Sequence, residues 1–89
     1  MKTVQAMPIV SGNIVWMSED IQPLHIDASM YNEYGSVEFW YVADLNKPAV
    51  DYNVHTSVYG QPVDESWIYL GHAEQNGTLV FYFLERFCV

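Results

Sequence analysis

Residues Thr78–Glu85 read TLVFYFLE, and few folds can accommodate such a stretch. Side chains alternate between the two faces of a strand, so Leu79, Phe81 and Phe83 would share one face and Val80, Tyr82 and Leu84 the other. A strand apolar on both faces is normally covered on both. The stretch follows Asn76-Gly77, two residues that tolerate the positive φ angles of a type I′ turn. It therefore reads as the second arm of a hairpin with Trp67–His72. In one small sheet the second face would be wet, so something must cover it. An N-terminal hairpin closing a sandwich could do so, as could a second copy of the chain or a target.

The rest of the chain is written in the same period. No helical repeat persists for three turns, whereas alternation with period two recurs between turn residues. Leu24, Ile26, Ala28 and Met30 oppose His25, Asp27, Ser29 and Tyr31, and NEYG at 32–35 reads as a turn. Val37, Phe39, Tyr41 and Ala43 oppose Glu38, Trp40, Val42 and Asp44, and DLNKP ends that strand. Tyr52, Val54, Thr56 and Val58 alternate with polar neighbours, and YGQPVDES follows as a loop, since Pro62 lacks a ladder donor. Upstream, Ser11-Gly12-Asn13 separates two apolar stretches and reads as the turn of a first hairpin. The expected class is all-β. Six or seven short, mainly antiparallel strands would form a small twisted sheet, a sandwich or a partly open barrel, in one domain over residues 1–89.

Eleven carboxylates face three cations, Lys2, Lys47 and Arg86, for a formal net charge of −8. Such a surface repels nucleic acid and anionic membranes, which are bound through Lys and Arg. It suits a basic protein partner, and it also keeps an apolar mini-protein soluble. A chain this short buries only about 60–65% of its unfolded surface, yet it carries 3 Trp, 7 Tyr and 4 Phe. That excess favours a partner or self-association. The one cysteine, Cys88, cannot form an internal disulfide, so a reducing cytosol is expected. The N-terminus makes a poor signal peptide, and no run approaches the roughly 20 apolar residues of a membrane span.

No catalytic signature is present. His25, His55 and His72 are 30 and 17 residues apart, unlike the tight pairs of zinc sites. Glu19-Asp20 and Asp64-Glu65 are sequence neighbours in loops and read as solvated turn residues. Hydrolase elbows and Gly-rich phosphate loops are absent, so no enzyme activity, metal or cofactor is expected. The aromatic residues are more informative, because Tyr and Trp supply large apolar area with a polar tip at interfaces. Trp40, Trp67, Tyr31, Tyr34, Tyr59 and Tyr69 are candidates for partly exposed positions. The residues singled out for binding are Trp40, Tyr59, Asp64, Glu65, Trp67 and Tyr82.

The segments PLHIDASMY, VEFWYVAD, VHTSVYGQPVD, WIYLG and GTLVFYFLE, in that order, resemble a family of small phage and prophage proteins of unknown function. The likeness runs from Leu24 to Glu85, about two-thirds of the chain. The relatives are more basic in the middle strands, where this chain has Lys47 alone. The resemblance implies a phage-encoded accessory protein, acting in the host cytoplasm with no inherited active site, and by association one that antagonises host defence.

Two functions compete beside a purely structural or regulatory oligomer. In the first, an acidic and aromatic surface occupies a basic site on a host nucleic-acid-handling protein. In the second, the chain is a sponge for a small nucleotide signal, for which only Lys2, Lys47 and Arg86 could meet the phosphates. A two-fold homodimer, or a higher homo-oligomer, is also expected, with an interface of about 800 Å² per partner. With Tyr82 on the outward face, Tyr82→Lys is expected to dissolve that dimer without unfolding the monomer.

Overall fold

The computed structural model describes residues 1–28 and 36–87. Seven strands, β1 (Lys2–Ile9), β2 (Ile14–Ser18), β3 (Gln22–Asp27), β4 (Val37–Asp44), β5 (Ala49–Ser57), β6 (Ile68–Gln75) and β7 (Thr78–Arg86), pair antiparallel throughout. They form a three-stranded sheet ordered β1-β4-β3 and a four-stranded sheet ordered β2-β5-β7-β6. The expected all-β class is therefore present, as two sheets that do not close into a barrel. The turn expected at 32–35, together with Tyr31 and Tyr34, lies outside the described residues, as does Cys88.

The core lies between the sheets, where alternate positions of the strands converge. The smaller sheet contributes Ile9, Val37, Phe39, Tyr41 and Ala43, and the larger contributes Val15, Met17, Tyr52, Val54, Leu70, Ala73, Tyr82 and Leu84. The rings of Phe39 and Tyr41 stack with centroids 5.0 Å apart, and Tyr52 Oη donates to the Ser18 carbonyl at 3.2 Å. Burial raises the pKa of both Tyr41 and Tyr52, since an apolar setting disfavours the phenolate.

The N-terminal hairpin expected from the sequence is not what forms. Its turn exists, with Asn13 N donating to Val10 O at 3.1 Å, but β1 pairs with β4 and β2 pairs with β5. Each strand has its own core side chains, Ile9 on β1 and Val15 with Met17 on β2. Placing the strands in opposite sheets points both sets into the same interior. Backbone bonds from Gly12 N to Val54 O and from Val54 N to Asn13 O, both 2.9 Å, tie this crossing to β5. Cover for the inner face of β7 thus comes from the facing three-stranded sheet and its core side chains.

Both strand prolines, Pro8 on β1 and Pro23 on β3, occupy edges of the smaller sheet, where a missing N–H costs no ladder bond. At Pro23/His25 the register slips, and Leu24 turns out to solvent at 45% exposure. The regular alternation expected for Leu24 and Ile26 is broken there because the bulge inserts one residue.

A second slip, between Tyr69 and Gly71, lies on β6 where it approaches β3. Gly71 has φ +148°, and a Cβ at that position would lie 2.9 Å from Ile26 Cγ1 and 3.3 Å from the Ile26 backbone N. Gly71→Ala is therefore expected to destabilise the chain by about 1–3 kcal/mol, read as a lower urea midpoint. The earlier expectation for Tyr82 is also reversed. Tyr82 is 2% exposed and accepts a hydrogen bond from Gln75 Nε2, so Tyr82→Lys places an ammonium in the core and unfolds the monomer. Loss of cooperative thermal unfolding in that variant is the expected observation.

Candidate docking face

Burial of Tyr82 and Leu84 fixes the phase of β7 and turns Leu79, Phe81 and Phe83 to the outside of the four-stranded sheet. Strand pairing then sets the neighbours row by row. Trp16 opposes Asp51, and Ile14 opposes Asn53, which opposes Glu85. His55 opposes Phe83, which opposes Tyr69. Ser57 opposes Phe81, which opposes His72, and Leu79 opposes Glu74.

Aromatic rings carpet the middle of this face. The His55 imidazole stacks on the Trp67 indole at 4.1 Å and 5°. Trp67 leans on Phe83 at 5.9 Å, and Tyr69 tilts over both Phe83 (5.6 Å) and Phe81 (6.3 Å). His72 meets Phe81 at 5.7 Å and shares a 3.1 Å hydrogen bond with Tyr69 Oη. Tilted and stacked pairs of this kind add roughly 0.5–1.5 kcal/mol each beyond the area they bury. The carpet is not itself covered, for Trp16, Ile14, Tyr69 and Leu79 remain 71%, 59%, 49% and 46% exposed.

A short turn delivers Trp67 onto the carpet. Asp64 Oδ1 accepts from Ser66 N (2.8 Å) and Ser66 Oγ (2.7 Å), and Trp67 N donates to Asp64 O at 3.1 Å. These Ser66 bonds, side chain first, hold the Asp64 carboxyl below its ordinary value. The side chain of Asp64 thus closes an Asx turn and positions the indole.

At the end of the face, Glu85 Oε1 lies 3.0 Å from His55 Nε2. A carboxylate only accepts, so Nε2 carries the proton. The Glu85 pKa lies below 4.5, chiefly through this bond, with smaller help from Asn53, the charge of His55 and the Trp67 indole, while burial pushes the other way. The indole N–H nevertheless closes no hydrogen bond of ordinary geometry among the described residues. Beside the pair, Asn53, Ser66, Glu85, Arg86 and Phe87 line a cavity of about 510 Å³.

Of the residues singled out from sequence, Trp67 belongs to this face, and Tyr59, Asp64 and Glu65 lie in the exposed loop that leads into it. Trp40 is on the outer side of the other sheet, stacked with His25 at 5.8 Å, and Tyr82 is in the core. Tyr69, one of the aromatics expected at partly exposed positions, lies on this face too, and the structure adds Trp16, Asp51, His55, Phe81, Phe83 and Glu85. Alternation does not mark Trp16, because IVWMS is apolar on both faces and its pattern does not say which side turns inward. Among the described residues, no three His, Cys, Asp or Glu gather as a metal site requires.

The lowered pKa of Glu85 has a pH signature. A carboxyl depressed on folding contributes stability that is present above its unfolded value, near 4.5, and lost as pH falls through the lower folded value. Glu85→Gln removes that contribution. Its Tm is expected to fall less steeply than that of the parent chain on acidification below about pH 4.5, as followed by circular dichroism.

No curated protein and no solved structure matches the chain. A family described as a domain of unknown function, DUF7352, matches residues 1–87. Because that match spans both sheets, the chain belongs to the DUF7352 family.

Proposed function

We propose that this chain is a non-catalytic binding module, which uses the outer face of the β2-β5-β7-β6 sheet to occupy a Lys- and Arg-rich surface on a protein partner. The observation that carries this reading is an exposed aromatic carpet bordered by carboxylates that the chain does not neutralise. Lys47 binds Asp20 at 2.9 Å, Arg86 binds Glu19 at 3.1 Å, and Lys2 sits opposite Asp44 in the β1–β4 register. The side chains of Asp51, Glu65 and Glu74 make no ion pair or hydrogen bond among the described residues, and all three are exposed. A cationic partner would supply the missing charges at the rim while apolar parts of its side chains cover the rings.

The nucleic-acid-handling protein of a host defence system, implied by the phage-like resemblance, would present such a surface. The same geometry disfavours a nucleotide sponge, because phosphates on this face would meet Asp51, Glu74 and Glu85, with only the engaged Arg86 nearby. A second copy would also fit the aromatic carpet. It would, however, bring two like-charged rims together, so charge favours the basic partner.

Titrating the isotopically labelled chain with a mixed Lys/Arg peptide tests this. Amide shifts are expected around Trp16, Asp51, Tyr69 and Leu79, with affinity falling as salt rises. The double reversal Asp51→Lys/Glu74→Lys is expected to weaken binding about tenfold or more. Absence of binding at low ionic strength, or shifts confined to the Trp40 face, would overturn the proposal. Light scattering on the free chain shows whether a second copy already occupies the face.

A further inference from the structure

We infer that this face reads arginine in preference to lysine, by stacking a guanidinium on Trp16 while Asp51 accepts its paired N–H groups. The inference rests on the docking role proposed above and names the side chain that the site takes. Trp16 and Asp51 are cross-strand partners on the outer side of β2 and β5, which places their Cβ atoms about 4.5–5.5 Å apart.

The three tryptophans are not equivalent. Trp67 has His55 on one side and Phe83 on the other, and Trp40 carries His25. Trp16 stacks with no ring among the described residues, and 71% of it is exposed. Its indole face is therefore open to a ligand, whereas the other two indoles already serve the chain's own packing. Asp51 is exposed as well, and its carboxylate has no partner among the described residues. The one guanidinium in the sequence, that of Arg86, is directed to Glu19 at 3.1 Å.

An indole beside a free carboxylate presents a flat π surface and a two-oxygen acceptor together. A guanidinium satisfies both at once, because it is planar and its N–H groups form a fork. An ammonium can meet the ring or the carboxylate as a point charge but gains nothing from the plane. Glu85, diagonal to Asp51 across β5 and β7, adds negative potential that attracts either cation without distinguishing them.

Calorimetric titration of the full chain with oligo-arginine and oligo-lysine peptides of equal length, at physiological salt, separates the two. Oligo-arginine is expected to bind about tenfold more tightly. Trp16→Ala and Asp51→Asn should each bring it down to the oligo-lysine level without moving the Tm, while Trp16→Tyr, which keeps a ring, retains part of the preference. Equal affinity for the two peptides, or a preference that survives Trp16→Ala, would overturn the inference and leave the docking role standing. Binding of neither peptide, at physiological salt or at low ionic strength, would overturn both.

Discussion

Tyr82 and Leu84 are 2% and 0% exposed, and their burial beneath the smaller sheet sets the phase of β7. A strand apolar on both sides has two possible phases, and the choice here puts a phenol and an isobutyl group inside and two phenylalanines outside. Strand pairing carries that choice outward. Once Phe81 and Phe83 face away from the core, the registers of β5 and β6 bring His55, Tyr69 and His72 beside them. The aromatic face is therefore a consequence of how the core fills.

Within this face the rings have different duties. The Asp64 turn, Trp67 and the His55–Glu85 pair form one connected assembly that packs against Phe83. Trp16 and Leu79 lie at opposite ends of the face and remain open. A centre whose rings are already packed leaves fewer side chains for a partner to order on docking. Ring packing at the centre thus serves both stability and recognition.

Charge is distributed along the same division. The chain spends its few cations at the corners where strands change sheet, tying Asp20 to Lys47 and Glu19 to Arg86. Exposed pairs of this kind are worth little in stability, typically about 0–1 kcal/mol. They do leave the aromatic face without a free Lys or Arg among the described residues, so Asp51, Glu74 and Glu85 give it a negative border.

The sequence by itself determined the strands, the Asn76-Gly77 hairpin and the acidity, because alternation, turn chemistry and charge are local properties. The sheet memberships of β1 and β2 were decided only by the tertiary structure. A turn at Gly12 is compatible with a hairpin or with a crossing between layers, and burying Ile9, Val15 and Met17 in one interior selects the crossing. The same holds for the site. Trp67 could be picked out as an interfacial aromatic, but Trp40 and Tyr82 could not be separated from it, since residue type does not record which side of a two-faced strand is wet. Trp16 and Asp51 are 35 residues apart in sequence and become partners only through the β2–β5 register. That register depends on long-range packing, which no local pattern encodes.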